Sequence, residues 1–155
     1  MLLYLLRHAE AEVAAESDAA RQLTDKGIKQ AKCAGKFCRD RDLVPALVLT
    51  SPFVRAEQTA RLAAKRFKGK VRVEKFLASG MKPETALGEL SHQAKLESVM
   101  IVGHEPDFSR LVAKLLGLPS NDRVQLKKSS LTLLEVPQMQ AGAATLLFSL
   151  PVTLM

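Results

Sequence analysis

Short apolar runs recur along the chain, and each has about the length of one β-strand. Leu2–Leu6, residues 46–50 and Val99–Val102 are almost free of polar side chains. Because neither face of these runs is polar, they predict strands buried on both sides, as in a parallel sheet. Residues 71–74 alternate weakly and predict a fourth strand.

Helical patterns separate these runs. The predicted helices cover residues 24 to about 39, 51 to about 67, 84–96 and 106–116. Thr24 is the expected N-cap of the first helix. Ser51 is the expected cap of the second, with Pro52 in its first turn. Residues 9–23 show neither pattern and are expected to form a loop, a place where function is often found.

The end of the chain has a different pattern. Leu131–Val136 and Thr145–Leu150 flank a segment rich in Pro, Gln and Gly, which is typical of a β-hairpin. The whole pattern predicts an α/β fold. We expect a single three-layer domain over residues 1–155, with a mostly parallel central sheet flanked by helices and a C-terminal β-hairpin.

Composition and charge narrow the classes of function. The 155 residues are 47% hydrophobic and 25% charged, with a net charge of +7 that favours acidic or phosphorylated partners. Basic residues are spread along the chain, and one Tyr and no Trp are available for base stacking, so nucleic acid is not an expected partner. No apolar stretch approaches the roughly 20 residues of a membrane span. With no signal-peptide pattern and two cysteines poorly placed to bridge each other, we expect a cytoplasmic protein.

Basic or hydroxyl side chains lie at or just after the ends of three predicted strands. The first strand, predicted over residues 2–7, ends in Arg7 and is followed by His8. Ser51 and then Arg55 follow the second strand, and His104 follows Gly103 after the last parallel strand. If these strands are parallel neighbours, their carboxyl ends meet in one crevice, where ligands bind in open α/β sheets.

This set of side chains suits phosphoryl transfer. Two arginines can clamp a phosphate, and the helix after Pro106 could add backbone N–H donors. One histidine could attack phosphorus while the other stabilises charge on the oxygens. The attacking ring must be unprotonated at its reactive nitrogen, and we expect a backbone carbonyl to hold the other nitrogen. Arginines beside both histidines would repel a cation, so no metal or other cofactor is predicted.

Four motifs, in order, resemble the histidine phosphatase (phosphoglycerate mutase-like) superfamily. They are Leu6-Arg7-His8-Ala9-Glu10, Leu23-Thr24-Asp25-Lys26-Gly27, Ser51-Pro52-Phe53-Val54-Arg55-Ala56-Glu57-Gln58-Thr59 and Val102-Gly103-His104. Within the superfamily, the short chain is similar to SixA-type phosphohistidine phosphatases.

The resemblance implies a role for each site residue. His8 would be the nucleophile that becomes phosphorylated, and Arg7 and Arg55 would bind the phosphoryl group. His104 would complete the pocket, and Arg21 would add a further arginine to the phosphate site. Phosphate, sulfate and similar oxyanions are expected to bind there.

One departure from the family pattern bears on the substrate. Many mutases and phosphomonoesterases of the superfamily carry a glutamate acid between the second arginine and the second histidine, but residues 73–83 lack its usual context. An alkoxide leaving group needs a proton, whereas imidazole leaves easily. No capping insertion is present to cover the pocket. Both features favour hydrolysis of phosphohistidine on a protein.

Several alternatives stay open at this point. The chain could be a phosphomonoesterase acting on a small phosphate ester, or a catalytically weak phosphate-binding regulatory module. A proton donor, if there is one, could be Glu10 or Glu105. Ser129 and Ser130 could lie at the pocket rim. We expect a monomer, because no element has the pattern of an extra interface.

Overall fold

The computed structural model describes residues 1–155, which form one six-stranded sheet with helices on both faces. The strands are β1 (Leu2–Arg7), β2 (Leu47–Thr50), β3 (Val71–Val73), β4 (Ser98–Gly103), β5 (Leu131–Glu135) and β6 (Thr145–Leu150). The helices are α1 (Asp25–Asp40), α2 (Val54–Phe67), α3 (Pro83–Ser91) and α4 (Asp107–Leu115), and single 3-10 turns occupy Asp18–Ala20, Lys75–Leu77 and Val152–Leu154.

The strand order confirms the predicted α/β architecture. The sheet runs β3-β2-β4-β1-β5-β6, and its first four strands are parallel. β5 is antiparallel to β1, and β6 pairs with β5 as the predicted hairpin. β4 therefore lies between β1 and β2, so the ends of the three strands that carry the candidate chemistry are neighbours.

Alternate residues of the central strands face two separate cores. Leu3, Leu5 and Ile101 pack with Phe108 and Leu111 of α4. The opposite face is covered by small side chains of α1 and α2 that pack on residues of the other parity, among them Tyr4, Leu6, Met100 and Val102. Burial on both faces explains why these strands appear in the sequence as continuous apolar runs.

Two predicted boundaries were wrong. The helix predicted over 84–96 ends at Ser91, and residues 92–96 form tight turns in which backbone N–H groups bond carbonyls three residues back. Beyond Leu90 the segment is polar and largely exposed, so it has little apolar surface to bury. The second helix begins at Val54 rather than at Ser51-Pro52, and its N-cap is Phe53, without a side-chain cap.

The first loop is also more ordered than the sequence indicated. Within residues 9–23, Asp18–Ala20 form a 3-10 turn capped by Ser17, and Ala11 pairs with Leu23. The predicted N-cap of α1 is confirmed, because Thr24 Oγ1 accepts a hydrogen bond from the Gly27 N–H at 3.0 Å. None of the helices joins the length to the apolarity that crossing a membrane requires.

Close contact between α1 and α2 depends on a glycine. A Cβ atom placed on Gly35 would lie 2.4 Å from the Ala63 carbonyl oxygen and 2.7 Å from the Ala63 Cα. Both are backbone atoms of α2, which cannot move aside as a flexible side chain can. Gly88 in α3 is a natural comparison, because a Cβ atom there meets nothing within 4 Å.

We expect Gly35→Ala and Gly88→Ala to change stability in opposite directions. Gly35→Ala should lower the free energy of unfolding by about 1–3 kcal/mol, because overpacking outweighs the better helix propensity of alanine. Gly88→Ala should raise it by roughly 0.5–1 kcal/mol. Urea unfolding of both variants checks this, and a stabilised Gly35→Ala variant would show that the two helices can separate freely.

Candidate active site

Parallel pairing brings the two candidate histidines together at one edge of the sheet. Arg7 and Gly103 are paired residues of β1 and β4, and the next backbone N–H, that of His8, donates to the Gly103 carbonyl at 2.9 Å. The His8 and His104 rings lie with their centroids 5.2 Å apart, and both are buried. On the other side of β4, the Ser51 N–H donates to Val102, which places the end of β2 in the same crevice.

The His8 ring is held in one tautomer. Its Nδ1 lies 2.8 Å from the Ala9 carbonyl oxygen, which can only accept, so Nδ1 carries the ring proton. Nε2 therefore presents its lone pair, and the Arg55 Nε donates toward it at 3.4 Å. The backbone carbonyl expected from the sequence is present, and it leaves Nε2 as the nucleophilic atom.

Burial keeps both imidazoles neutral. It lowers the pKa of His8 to about 4, and the positive charges of Arg55, Arg7 and Lys128 act in the same direction. The pKa of His104 is lowered to about 3, again chiefly by burial, with His8 and Arg55 adding to the effect. A neutral His8 is the form that can attack phosphorus.

His104 is oriented by Ser51, which the sequence predicts as the N-cap of the second helix. Its Nε2 lies 2.7 Å from Ser51 Oγ, and that oxygen accepts a hydrogen bond from the Phe53 N–H at 3.2 Å. The other ring nitrogen, Nδ1, is buried and has no hydrogen-bond partner within the protein. Ser51 thus positions a histidine instead of capping α2.

Arg55 extends from the first turn of α2 into the crevice and is only 4% exposed. Its guanidinium carbon lies 5.0 Å from the centre of the Phe53 ring, which also packs at 5.0 Å from the His104 ring. Thr59 ties the start of this helix to the histidine loop, since its hydroxyl donates to the Arg55 carbonyl and accepts from the Ala9 N–H. Phe53 and Thr59 are site residues that the sequence reasoning missed.

The remaining arginines take different positions. Arg7 is held by its Nη1, which donates to the Leu126 carbonyl at 2.7 Å, and its charge lowers the pKa of both His8 and His104. Arg21 donates to the Glu12 carbonyl and to the Asp18 carboxylate. Arg21 therefore reaches the other site residues only through Asp18, which in turn contacts Arg55.

The structure distinguishes the acidic candidates. Glu10 forms an ion pair with Lys26 at 3.0 Å and accepts from Thr24, and these contacts lower its pKa. Glu74, the one carboxylate within residues 73–83, is paired with Arg72. Glu105 is half-buried, and burial raises the pKa of its carboxyl while Arg7 opposes that rise.

Two serines support the backbone that carries Arg7 and His8. The Ser129 N–H donates to the carbonyls of Arg7 and His8, both at 3.2 Å, and the Arg7 N–H donates to the Ser130 carbonyl. Both serines are buried, and neither hydroxyl has a partner. Their observed contribution is thus made through the main chain.

The start of α4 makes its hydrogen bonds within the protein. The Phe108 N–H donates to the His104 carbonyl, and Asp107 in the first turn accepts from the Gly80 and Met81 N–H groups. A contribution of this terminus to anion binding stays a prediction. No group of three or more His, Cys, Asp or Glu side chains is placed to hold a metal ion.

Comparisons with known proteins agree with this geometry. The family model of the histidine phosphatase superfamily (branch 1) matches residues 3–79 of this chain. The phosphohistidine phosphatase SixA homolog of Haemophilus influenzae is 31% identical over 128 residues, which are 76% of this chain and 78% of that protein.

Solved structures show the same fold. The structure of the protein histidine phosphatase SixA complexed with tungstate superposes with a TM-score of 0.89 at 23% identity, over 99% of this chain and 98% of that one. The α-ribazole phosphatase of Shigella flexneri gives a TM-score of 0.79 at 22% identity, with 94% of each chain covered. With its motifs, strand order and SixA relative in agreement, this chain belongs to the histidine phosphatase superfamily and is a phosphatase of that superfamily.

Proposed function

We propose that this protein hydrolyses phosphohistidine on a protein substrate through a covalent intermediate on His8. The observation that carries the proposal is the state of the His8 ring. Its Nδ1 proton is held by the Ala9 carbonyl, and its Nε2 lone pair lies beside the Arg55 guanidinium. The similarity to a SixA homolog supports phosphohistidine as the substrate class.

The first chemical step transfers the phosphoryl group to His8. The Nε2 lone pair forms a bond to phosphorus while the bond from phosphorus to the substrate nitrogen breaks, and that electron pair leaves with the substrate imidazole. Arg7 and Arg55 stabilise the charge on the phosphoryl oxygens, and His104 adds its Nδ1 to the pocket. An imidazole with a proton on its far nitrogen departs neutral, so a strong acid is not required.

The second step regenerates the enzyme. Water forms a bond to phosphorus as the bond to His8 Nε2 breaks, and the water proton passes to the phosphate product or to solvent. Because Nδ1 keeps its proton throughout, the phosphorylated ring is cationic and departs as a neutral imidazole. The Ala9 carbonyl stabilises the cationic ring by accepting a hydrogen bond from Nδ1. His8 is therefore a good leaving group in this second step of covalent catalysis.

The surroundings of the site favour a substrate carried by a protein. Between Arg55 and His104 the chain forms only β3, a 3-10 turn and α3, and α3 packs against α4. This segment adds no domain over the crevice, which favours a substrate histidine carried on another protein. Cytoplasmic location, the monomeric state and the extent of the domain over residues 1–155 remain predictions.

A small-molecule phosphomonoesterase is the second candidate. The fold likeness to the α-ribazole phosphatase of Shigella flexneri supports it, since that protein has the same architecture and is named for a small substrate. Against it, Glu10 and Glu74 are both held in ion pairs with basic side chains, which leaves Glu105, whose pKa is raised by burial, as the remaining candidate donor. A regulatory module that binds phosphate without turnover is the third candidate.

Replacing the nucleophile tests the mechanism. We expect His8→Ala to reduce phosphate release from a histidine-phosphorylated protein by at least about 10³-fold, because no phosphoenzyme can form. His92→Ala is the matched control, since that histidine is exposed and pairs weakly with Glu89. Full activity of His8→Ala would contradict the covalent route.

Comparing substrates separates the candidate functions. We expect wild-type protein to hydrolyse the histidine-phosphorylated protein at least about tenfold faster, in kcat/KM, than sugar phosphates, because only the latter need a donated proton. The reverse order would favour the phosphomonoesterase. Inactivity on both, with phosphate still bound, would favour the regulatory module.

The protonation state of the site can be measured directly. With pKa values of about 4 for His8 and about 3 for His104, neither ring should take up a proton between pH 8 and pH 5. Nitrogen NMR spectra of histidine-labelled protein, assigned with His8→Ala, should show both rings neutral over that range. A His8 titration near pH 6.5 would contradict the burial of a neutral nucleophile.

A further inference from the structure

The guanidinium expected to bind phosphate is held by a carboxylate of the protein itself. Arg55 Nη2 lies 3.0 Å from Asp18 Oδ2, and Nη1 donates to the Asp18 backbone carbonyl at 2.5 Å. With Nε directed at His8 Nε2, every nitrogen of the guanidinium has a partner within the protein. The second Asp18 oxygen, Oδ1, accepts from Arg21 at 3.0 Å.

Asp18 and Arg55 differ sharply in their exposure. The Arg55 side chain is 5% exposed and comes from a helix, whereas the Asp18 side chain is 57% exposed and comes from a single 3-10 turn. The neighbouring loop residues 12–19 are all exposed. A cavity of about 540 Å³ is lined by this loop, including Glu12, Ala14 and Ala20, so the loop has room to rearrange.

Charge explains why this contact exists. A buried guanidinium needs a nearby anion or several acceptors, and the two imidazoles beside it are neutral. Hydrogen bonds from Arg21 and Arg55 hold the pKa of Asp18 below its usual range, so the carboxylate is ionised at neutral pH. A phosphoryl group brings a second anion to the same guanidinium, and two anions this close repel each other.

We propose that Asp18 is an internal counterion of Arg55, which the phosphoryl group displaces on binding and which returns to Arg55 as phosphate leaves. This proposal rests on one part of the proposed function, which is that a phosphoryl group binds in this pocket. The exchange weakens binding of every phosphoryl ligand, and it assists release of the phosphate product by competing for the same N–H groups. Asp18 is thus a positioning residue that sets phosphate affinity.

The test is phosphate binding by Asp18→Asn. This variant removes the charge but keeps the shape, a side-chain oxygen for Nη2 and the backbone carbonyl for Nη1. We expect the Kd of inorganic phosphate, measured by calorimetry at pH 7.5, to fall about fivefold, the size expected for one partly exposed charge at close range. The inhibition constant of phosphate as a product should fall by the same factor.

Glu16→Gln is the matched control. It removes the same charge from the same exposed loop, and Glu16 makes no contact with Arg55. We expect its phosphate Kd to equal that of wild-type protein. Melting temperatures of both variants without phosphate should stay within a few degrees of wild type, as for surface substitutions.

Three results would overturn the proposal. Weaker phosphate binding by Asp18→Asn would mean that the charge of Asp18 supports the binding geometry of Arg55. Equal tightening in Glu16→Gln would mean that net charge alone is responsible. No phosphate binding by either wild-type protein or Asp18→Asn would exclude competition at this site. Because binding is measured without turnover, failure of the phosphohistidine assignment appears separately, in the substrate comparison.

Discussion

The pairing of β1 with β4 is the interaction on which the site depends. Arg7 lies opposite Gly103, so the residues that follow them, His8 and His104, leave the sheet at the same level. β4 also pairs with β2, which places Ser51 beside the same edge. A slip of one residue in either pairing would turn a histidine to the other face of the sheet, because side chains alternate along a strand.

Desolvation is the second constraint, and it acts on every group in the crevice. It favours the neutral form of both histidines, which suits one of them to attack and the other to contact the phosphoryl oxygens. The same desolvation makes the arginines costly to bury, and each has a carboxylate nearby: Asp18 contacts Arg55, and Glu105 acts on Arg7. A pocket built this way attracts an anion, and two of its carboxylates, Glu10 and Asp18, are held by basic side chains. That combination suits a substrate whose leaving group is already a good one.

Supporting contacts come from elements distant in the sequence. Thr59 of α2 binds the backbone after His8, and Ser129 binds the carbonyls of Arg7 and His8 from the turn before β5. The His8 backbone is therefore held from two sides, while the loop over residues 12–19 is exposed. Hydrogen bonds around His8 and exposure at Asp18 fit the proposed function, in which the phosphoryl group is held at His8 and a loop takes part in its entry and departure.

The sequence by itself determined the strands, the sheet edge and the positions of four candidate site residues. Continuous apolar runs can be identified in the sequence alone, and they are typical of strands buried on both faces. Together with the motifs, these runs place four residues at strand or helix ends: His8, His104, Arg7 and Arg55. Tertiary structure alone decided the roles of Ser51, Phe53 and Asp18. Asp18 contacts Arg55 across 37 positions of sequence, and Ser51 contacts His104 across 53. Such contacts depend on how a loop or a helix start packs against another element, which no local periodicity records. The contact of Arg21 with Asp18 is likewise visible only in the structure, and its predicted role as a phosphate ligand stays a prediction.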